Sequence, residues 1–172
     1  MSESTQALPL DAETKALESP EHHRDHLRLW LRMLTCTTLV EAGVRGRLRE
    51  QFEVTLPRFD LMAQVQRAPN GMTLSEVSRR MMVSNGNVTG LVERLVESGH
   101  LNRWPSPTDR RVQIIALTPA GRQEFGRMAK AHEAWIAEMF ADFSASEVNS
   151  LIGLLGKLKQ SIQANALSRT QA

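Results

Sequence analysis

Asn85, Asn87 and Thr89 stand close together just after Ser84, and Asp109-Arg110-Arg111 form a second polar cluster further along the chain. A carboxamide presents a donor beside an acceptor, the pattern that matches adenine N6 and N7, and a threonine methyl matches the thymine 5-methyl group. Guanidinium groups are drawn to the negative potential of a narrow minor groove. Such side chains reach a duplex only if separate elements hold them outward. The sequence therefore has to supply a helix for the first cluster and a tight turn for the second.

It supplies both. Thr73-Leu74-Ser75-Glu76 has the spacing of a capping box and opens a short helix ending near Val83. Ser84 caps the next helix, in which Val88, Leu91, Val92, Leu95 and Val96 make one apolar stripe and Gly99 the left-handed stop. Two capped helices a few residues apart read as a helix-turn-helix or as an ordinary helical hairpin. The next segment decides between them. Leu101 to Pro105 and Arg111 to Leu117 read as strands about the turn Ser106-Pro107-Thr108-Asp109-Arg110, and helix-turn-helix plus hairpin is a winged helix.

On either side lie long helical patterns. One runs from about Pro20 to about Gln51, with Trp30, Met33, Val40, Val44 and Leu48 at helical spacing and Leu27, Leu31 and Leu34 as a second stripe. A shorter helix from Leu56 to Arg67 has Pro57 in its first turn, and Ala68-Pro69-Asn70-Gly71 reads as a turn. Thr118-Pro119-Ala120-Gly121 opens another helix, running to about Phe140, and Ser144-Ala145-Ser146-Glu147 opens the last. In that last helix Val148, Leu151, Ile152, Leu155, Leu158 and Ile162 approach a heptad seam that needs a partner.

The expected fold class is thus mainly α with a small β-hairpin wing (α+β): a winged helix-turn-helix at 52–117, between dimerisation helices at 21–51 and 118–166. Residues 1–20, rich in Ser, Thr, Glu and Ala, read as a mobile arm.

Composition narrows the function classes. The chain has 172 residues, 41% hydrophobic and 23% charged, with formal net charge +2. Affinity for nucleic acid must then come from where charges sit, since bulk basicity does not supply it. No apolar run approaches the ~20 residues of a membrane span, and the first residues lack a signal-peptide layout, so a cytoplasmic protein is expected. No phosphate-binding glycine loop or nucleophile-base constellation points to an enzyme, and no cofactor is expected.

The motifs resemble the MarR family of winged-helix transcription regulators. Asp109-Arg110-Arg111 followed by Leu117-Thr118-Pro119-Ala120-Gly121 resembles the join of that family's wing to its fifth helix. Ser84 to Leu95 resembles its recognition helix, and the resemblance covers roughly Leu27 to Ile162. Many relatives carry Arg after the recognition-helix Thr, where this chain has Gly90. The resemblance implies a homodimer on a palindromic operator in double-stranded DNA, acting as a repressor, with Asp109 orienting a wing arginine.

In this setting Ser84, Asn85, Asn87, Thr89, Arg94, Arg103, Asp109, Arg110 and Arg111 are the expected DNA-contacting residues. Asn85 and Asn87 also fit plain turn and capping chemistry, and Arg79 and Arg80 fit either phosphates or solvent. Gly86 and Gly90 each lower helix propensity by about 1 kcal/mol relative to Ala, which suggests that the helix backbone approaches its target closely.

Family resemblance also implies a small-molecule effector bound between the dimer helices and the reading body. Arg32 and Arg58 suit a carboxylate or phosphate, and Trp30, Met33, Thr37, Phe59 and Met62 would surround an aromatic ring. An aromatic carboxylate or its acyl-CoA thioester is the expected ligand, the alternative being core for the apolar residues and surface for the arginines. Cys36, the sole cysteine, offers a redox-sensing alternative, although a chain without tyrosine favours a buried structural thiol. His22, His23 and His26 include an i,i+4 pair that could bind Zn²⁺, with solvated histidines the favoured reading. A winged-helix adaptor that binds protein and not DNA remains the rival function.

Overall fold

The computed structural model describes residues 24–170. In chain order come α1 (Arg24–Phe52), α2 (Leu56–Gln66), β1 (Met72–Thr73), α3 (Leu74–Met81), α4 (Asn85–Glu97), β2 (Leu101–Pro105), β3 (Gln113–Leu117), α5 (Pro119–Met139) and α6 (Ala145–Thr170). The fold is mainly helical with one small antiparallel sheet, as the sequence suggests. The arm at 1–20, the start of the first helix near Pro20, His22 and His23 lie outside the described residues. The chain divides into two compact units, one ending at His132 and one beginning at Glu133.

In the first unit, Val44 and Leu48 of α1 are buried along with Phe59, Leu61, Met62 and Val65 of α2. Val77, Val88, Val92 and Leu95 bring in α3 and α4, and Leu101, Ile115 and Leu117 bring in the sheet. Each of these larger apolar side chains contributes about 1.5–3 kcal/mol by leaving water. The outward faces of α4 and the hairpin are thus mounted on a closed core.

Two features of the sheet differ from expectation. Its strand order is β1-β3-β2, with Met72 opposite Ile115 and Thr73 opposite Ile114, so a third strand precedes α3. Two residues are too few to show alternation. Strand β3 begins at Gln113 rather than Arg111, because Val112 N–H donates to the Asp109 carbonyl at 2.9 Å and Arg111 N–H to Asp109 Oδ1 at 3.0 Å. Those donors close the turn and are lost to the ladder. β2 is a sheet edge, the position that suits its Pro105.

The join between wing and α5 explains one glycine. Thr118 Oγ1 accepts from Gly121 N–H at 2.9 Å and donates to the Gly99 carbonyl at 2.7 Å. A Cβ on Gly121 would stand 2.1 Å from the His100 carbonyl oxygen. Only glycine permits this approach.

In the second unit, Ser144 and Glu147 complete a capping box: Ser144 N–H donates to Glu147 Oε2 at 2.8 Å, and Glu147 N–H to Ser144 Oγ at 3.3 Å. Hydrogen bonds from the Ser144 hydroxyl and then its backbone hold the Glu147 carboxyl below its usual range. Along α6, Leu151, Ile152, Leu154, Leu155 and Ile162 are exposed. In the first unit, Leu27, Trp30 and Leu34 are exposed on the face of α1 that Val44 and Leu48 bury further on.

Candidate nucleic-acid interface

The candidate interface begins with the turn that aims α4. Thr73 and Glu76 form the expected capping box, with Thr73 N–H donating to Glu76 Oε2 at 2.7 Å and Glu76 N–H to Thr73 Oγ1 at 3.2 Å. The Thr73 backbone and hydroxyl bonds, helped by Arg80 and Arg79, lower the Glu76 pKa. Met82 then takes the left-handed conformation at φ 55°, while Val83 N–H donates to the Ser78 carbonyl at 3.2 Å and Ser78 Oγ to the Val83 carbonyl at 2.6 Å. These bonds set the direction in which α4 leaves.

Ser84 caps α4, its hydroxyl accepting from Asn87 N–H at 3.4 Å. Ser84, Asn85 and Asn87 are exposed, so their polar side chains face solvent at the positive end of the helix, where an anion is favoured. Thr89 Oγ1 donates to the Asn85 carbonyl at 3.0 Å. Its methyl and the accepting side of its hydroxyl oxygen are left to meet a ligand. Arg94 is exposed further along α4, and Arg79 and Arg80 are exposed at the end of α3.

In the wing, Ser106 is buried; its N–H donates to the Val112 carbonyl at 2.8 Å, and its Oγ lies 3.0 Å from Thr108 Oγ1. Asp109 Oδ1 also lies 3.6 Å from Arg111 Nε, so one carboxylate contacts both the backbone and the side chain of Arg111. The Arg111 side chain is 95% exposed. An ion pair so exposed adds little stability; its effect is to orient. Arg110 is exposed beside it, and Arg103 Nε donates to Gln113 Oε1 at 3.3 Å across the hairpin.

Sequence comparison bears on this geometry. A MarR family sequence model matches residues 54–112, the span from the end of α1 into the wing. A putative transcriptional regulatory protein for the hcr operon of Thauera aromatica is 34% identical over 131 residues, covering 76% of this chain and 70% of that protein. The chain belongs to the MarR family. Another relative is the transcriptional activatory protein BadR of Rhodopseudomonas palustris, 29% identical over 76% of each chain. The crystal structure of Streptococcus pneumoniae FabT in complex with DNA superposes with a TM-score of 0.69 at 25% identity, covering 81% of this chain and 99% of FabT. This MarR-family chain is a DNA-binding transcriptional regulator and not an enzyme.

The residues suggested for an effector are dispersed over surface and core. Trp30 is 56% exposed, Arg32 and Thr37 are exposed and Met33 is half-buried, with Thr37 Oγ1 donating to the Met33 carbonyl at 2.8 Å. Phe59 is buried, 5.5 Å from the Phe125 ring and 5.1 Å from the His132 ring, and Met62 is 1% exposed, whereas Arg58 is half-buried. Partial burial raises the pKa of the neighbouring Asp60, His132 opposes this and Glu41 adds to it.

Sequence reasoning did not single out an open groove of about 450 Å³ lined by Thr38, Glu41, Ala42, Arg45, Gly46 and Arg49. A second groove is lined by Asp25, Arg28, Leu29 and Arg32. Both follow α1, whose polar and small residues carry no motif. Cys36 is exposed, contrary to the buried thiol favoured from sequence, and His26 is exposed. Among the described residues no cluster suits a metal ion, and no helix is long and apolar enough to cross a membrane.

Proposed function

We propose that this regulator is a homodimeric repressor that acts in the cytoplasm, binds a palindromic operator and leaves it when a small aromatic acid or its CoA thioester binds. The observation that carries the DNA reading is the exposed first turn of α4 beside a wing whose Asp109 contacts Arg111. Asn85, Asn87 and Thr89 then meet base edges, Ser84 and the free N–H groups meet phosphate, and Arg110 and Arg111 enter the minor groove. Arg94 and Arg103 serve phosphates. An adaptor that never meets DNA has no use for both features.

Dimerisation is supported by Leu27, Trp30 and Leu34 on α1 and by the apolar stripe on α6, since an isolated chain leaves both in water. A twofold axis would place two copies of α4 about one helical turn of DNA apart, ~34 Å. The division of labour would then be a reading body at 52–117 and dimer helices at 21–51 and 118–166.

Gel shift on the gene's own upstream region tests the reading. Wild-type protein forms a complex that weakens steeply with salt, and Arg111→Ala weakens it; unchanged binding by the variant removes the wing from the interface. A transcriptional reporter carrying the same region gives the sign. The name of BadR favours activation as the second reading, and reporter expression that falls when the regulator is deleted would establish it. For the effector, Arg32 and Arg58 supply cationic chemistry and Trp30 and Met33 apolar surface. A thermal-shift screen of phenolic acids and acyl-CoA thioesters in which none raises the melting temperature would remove this ligand class.

A further inference from the structure

The first half of α1 is apolar on two sides. A helix turns by about 100° per residue, so Leu29, Arg32, Cys36 and Leu39 form one line and Leu27, Trp30 and Leu34 another, nearly opposite. Every one of these side chains is exposed. The proposed dimer contact covers the line of Leu27, Trp30 and Leu34 and leaves the other in water. A helix with apolar residues on both sides calls for two covers.

Charge and an orphaned donor describe what fits the second line. Arg28 and Arg32 add positive charge beside Leu29 and, with Asp25, line a groove of about 250 Å³. Arg28 Nη1 lies 3.8 Å from Asp25 Oδ1, but Arg28 Nε is buried with no hydrogen-bond partner among the described residues. A buried N–H without an acceptor costs its full desolvation, which an incoming carboxylate would offset. The line therefore suits a chain that carries both carboxylates and leucines.

Residues 1–23, which lie outside the described residues, have that chemistry. They hold Glu3, Asp11, Glu13, Glu18 and Glu21 against Lys15, a net charge of −4 in a chain whose total is +2. Among them, Leu10 to Glu18 combines three acids with Leu10 and Leu17. The line from Arg28 to Leu39 is about 17 Å long at 1.5 Å per residue. Nine extended residues reach about 26 Å, enough to run its length. The five residues between Glu18 and α1 are enough to reverse the chain.

We propose that residues 10–18 of this chain fold back over the second line of α1, with their carboxylates at Arg28 and Arg32 and with Leu17 and Leu10 against Leu29 and Leu39. The segment then covers Cys36, so the thiol reports its presence. This cover is independent of how α4 meets DNA.

Alkylation of Cys36, the sole cysteine, by a neutral maleimide in the full-chain protein tests this, with the urea-unfolded chain as the uncovered reference. Folded wild-type protein should react more slowly than the unfolded chain and speed up as salt is added. A triple variant with Asp11→Asn, Glu13→Gln and Glu18→Gln should react about five-fold faster than wild type, with its circular dichroism unchanged. Arg28→Gln should also speed the reaction. Loss of a nearby cation by itself disfavours a thiolate and slows alkylation, so a rise in that variant reports uncovering. Equal rates in wild type and the triple variant would overturn the proposal, as would wild-type protein that reacts as fast as the unfolded chain. Protection that survives the triple substitution but is lost on dilution would also overturn it, and would assign the face to a second copy.

Discussion

The α3–α4 and wing region differs from the outer helical faces in how exposure is arranged. On α4 and the wing, the exposed groups are polar, and local bonds hold the surrounding backbone: Ser84 caps α4, Ser78 closes the turn before it, and Asp109 contacts Arg111. On the first half of α1 and along α6, the exposed groups are Leu27, Trp30, Leu34, Ile152, Leu154 and Ile162. The first region is complete within one chain and awaits a polar ligand. The second leaves large apolar side chains in water.

The contrast is broken most strongly at the glycine that lets α5 start against the wing. Gly121→Ala puts a methyl into the His100 carbonyl, and should cost about 3 kcal/mol and lower the melting temperature by several degrees. An unchanged melting curve would mean that the close approach is not maintained. Next in size is Leu155→Glu on α6, which should weaken self-association about 100-fold in sedimentation while leaving the circular dichroism of the subunit helical. Were self-association unchanged, the α6 stripe would not be the contact surface.

Arg111→Ala should weaken DNA binding about 10- to 100-fold and reduce the salt slope by about one, with melting unchanged. Thr73→Ala removes a cap of α3 and should cost about 1 kcal/mol of stability. The smallest effect is pH-dependent. Because the folded Glu76 pKa lies below its ordinary value of 4.5, its contribution is fully present above that value and is lost as pH falls through the lower folded value. Glu76→Gln should flatten that part of an acid-stability curve, and an unaltered curve would assign the acid sensitivity elsewhere.

The same contrast accounts for what was legible in the sequence. Short-range chemistry was readable because its partners lie three residues apart: Thr73 with Glu76, Ser144 with Glu147, Thr118 with Gly121. Apolar periodicity located α2, α4 and the end of α1 to within a few residues. Strand β1 escaped notice because it is only two residues long and its partners, Ile114 and Ile115, are far away in sequence. The sequence alone sets the start of β3 too early, because Arg111 and Val112 look like strand residues until Asp109 takes their N–H groups.

The effector region was the least legible. Phe59 is core, with Phe125 and His132 against its ring, and no local pattern reveals which ring of an apolar stripe faces a ligand and which faces α5. Cys36 is exposed for a similar reason: its place on α1 depends on what lies beside the helix, not on its neighbours in sequence.

Hydroxyl-radical footprinting of the full-chain protein on its preferred duplex tests the central claim most directly. The account predicts two protected tracts related by a twofold axis, their centres about one helical turn apart, with a minor-groove protection beside each that disappears in Arg111→Ala. A single unsymmetrical tract, or minor-groove protection that survives the substitution, would contradict it.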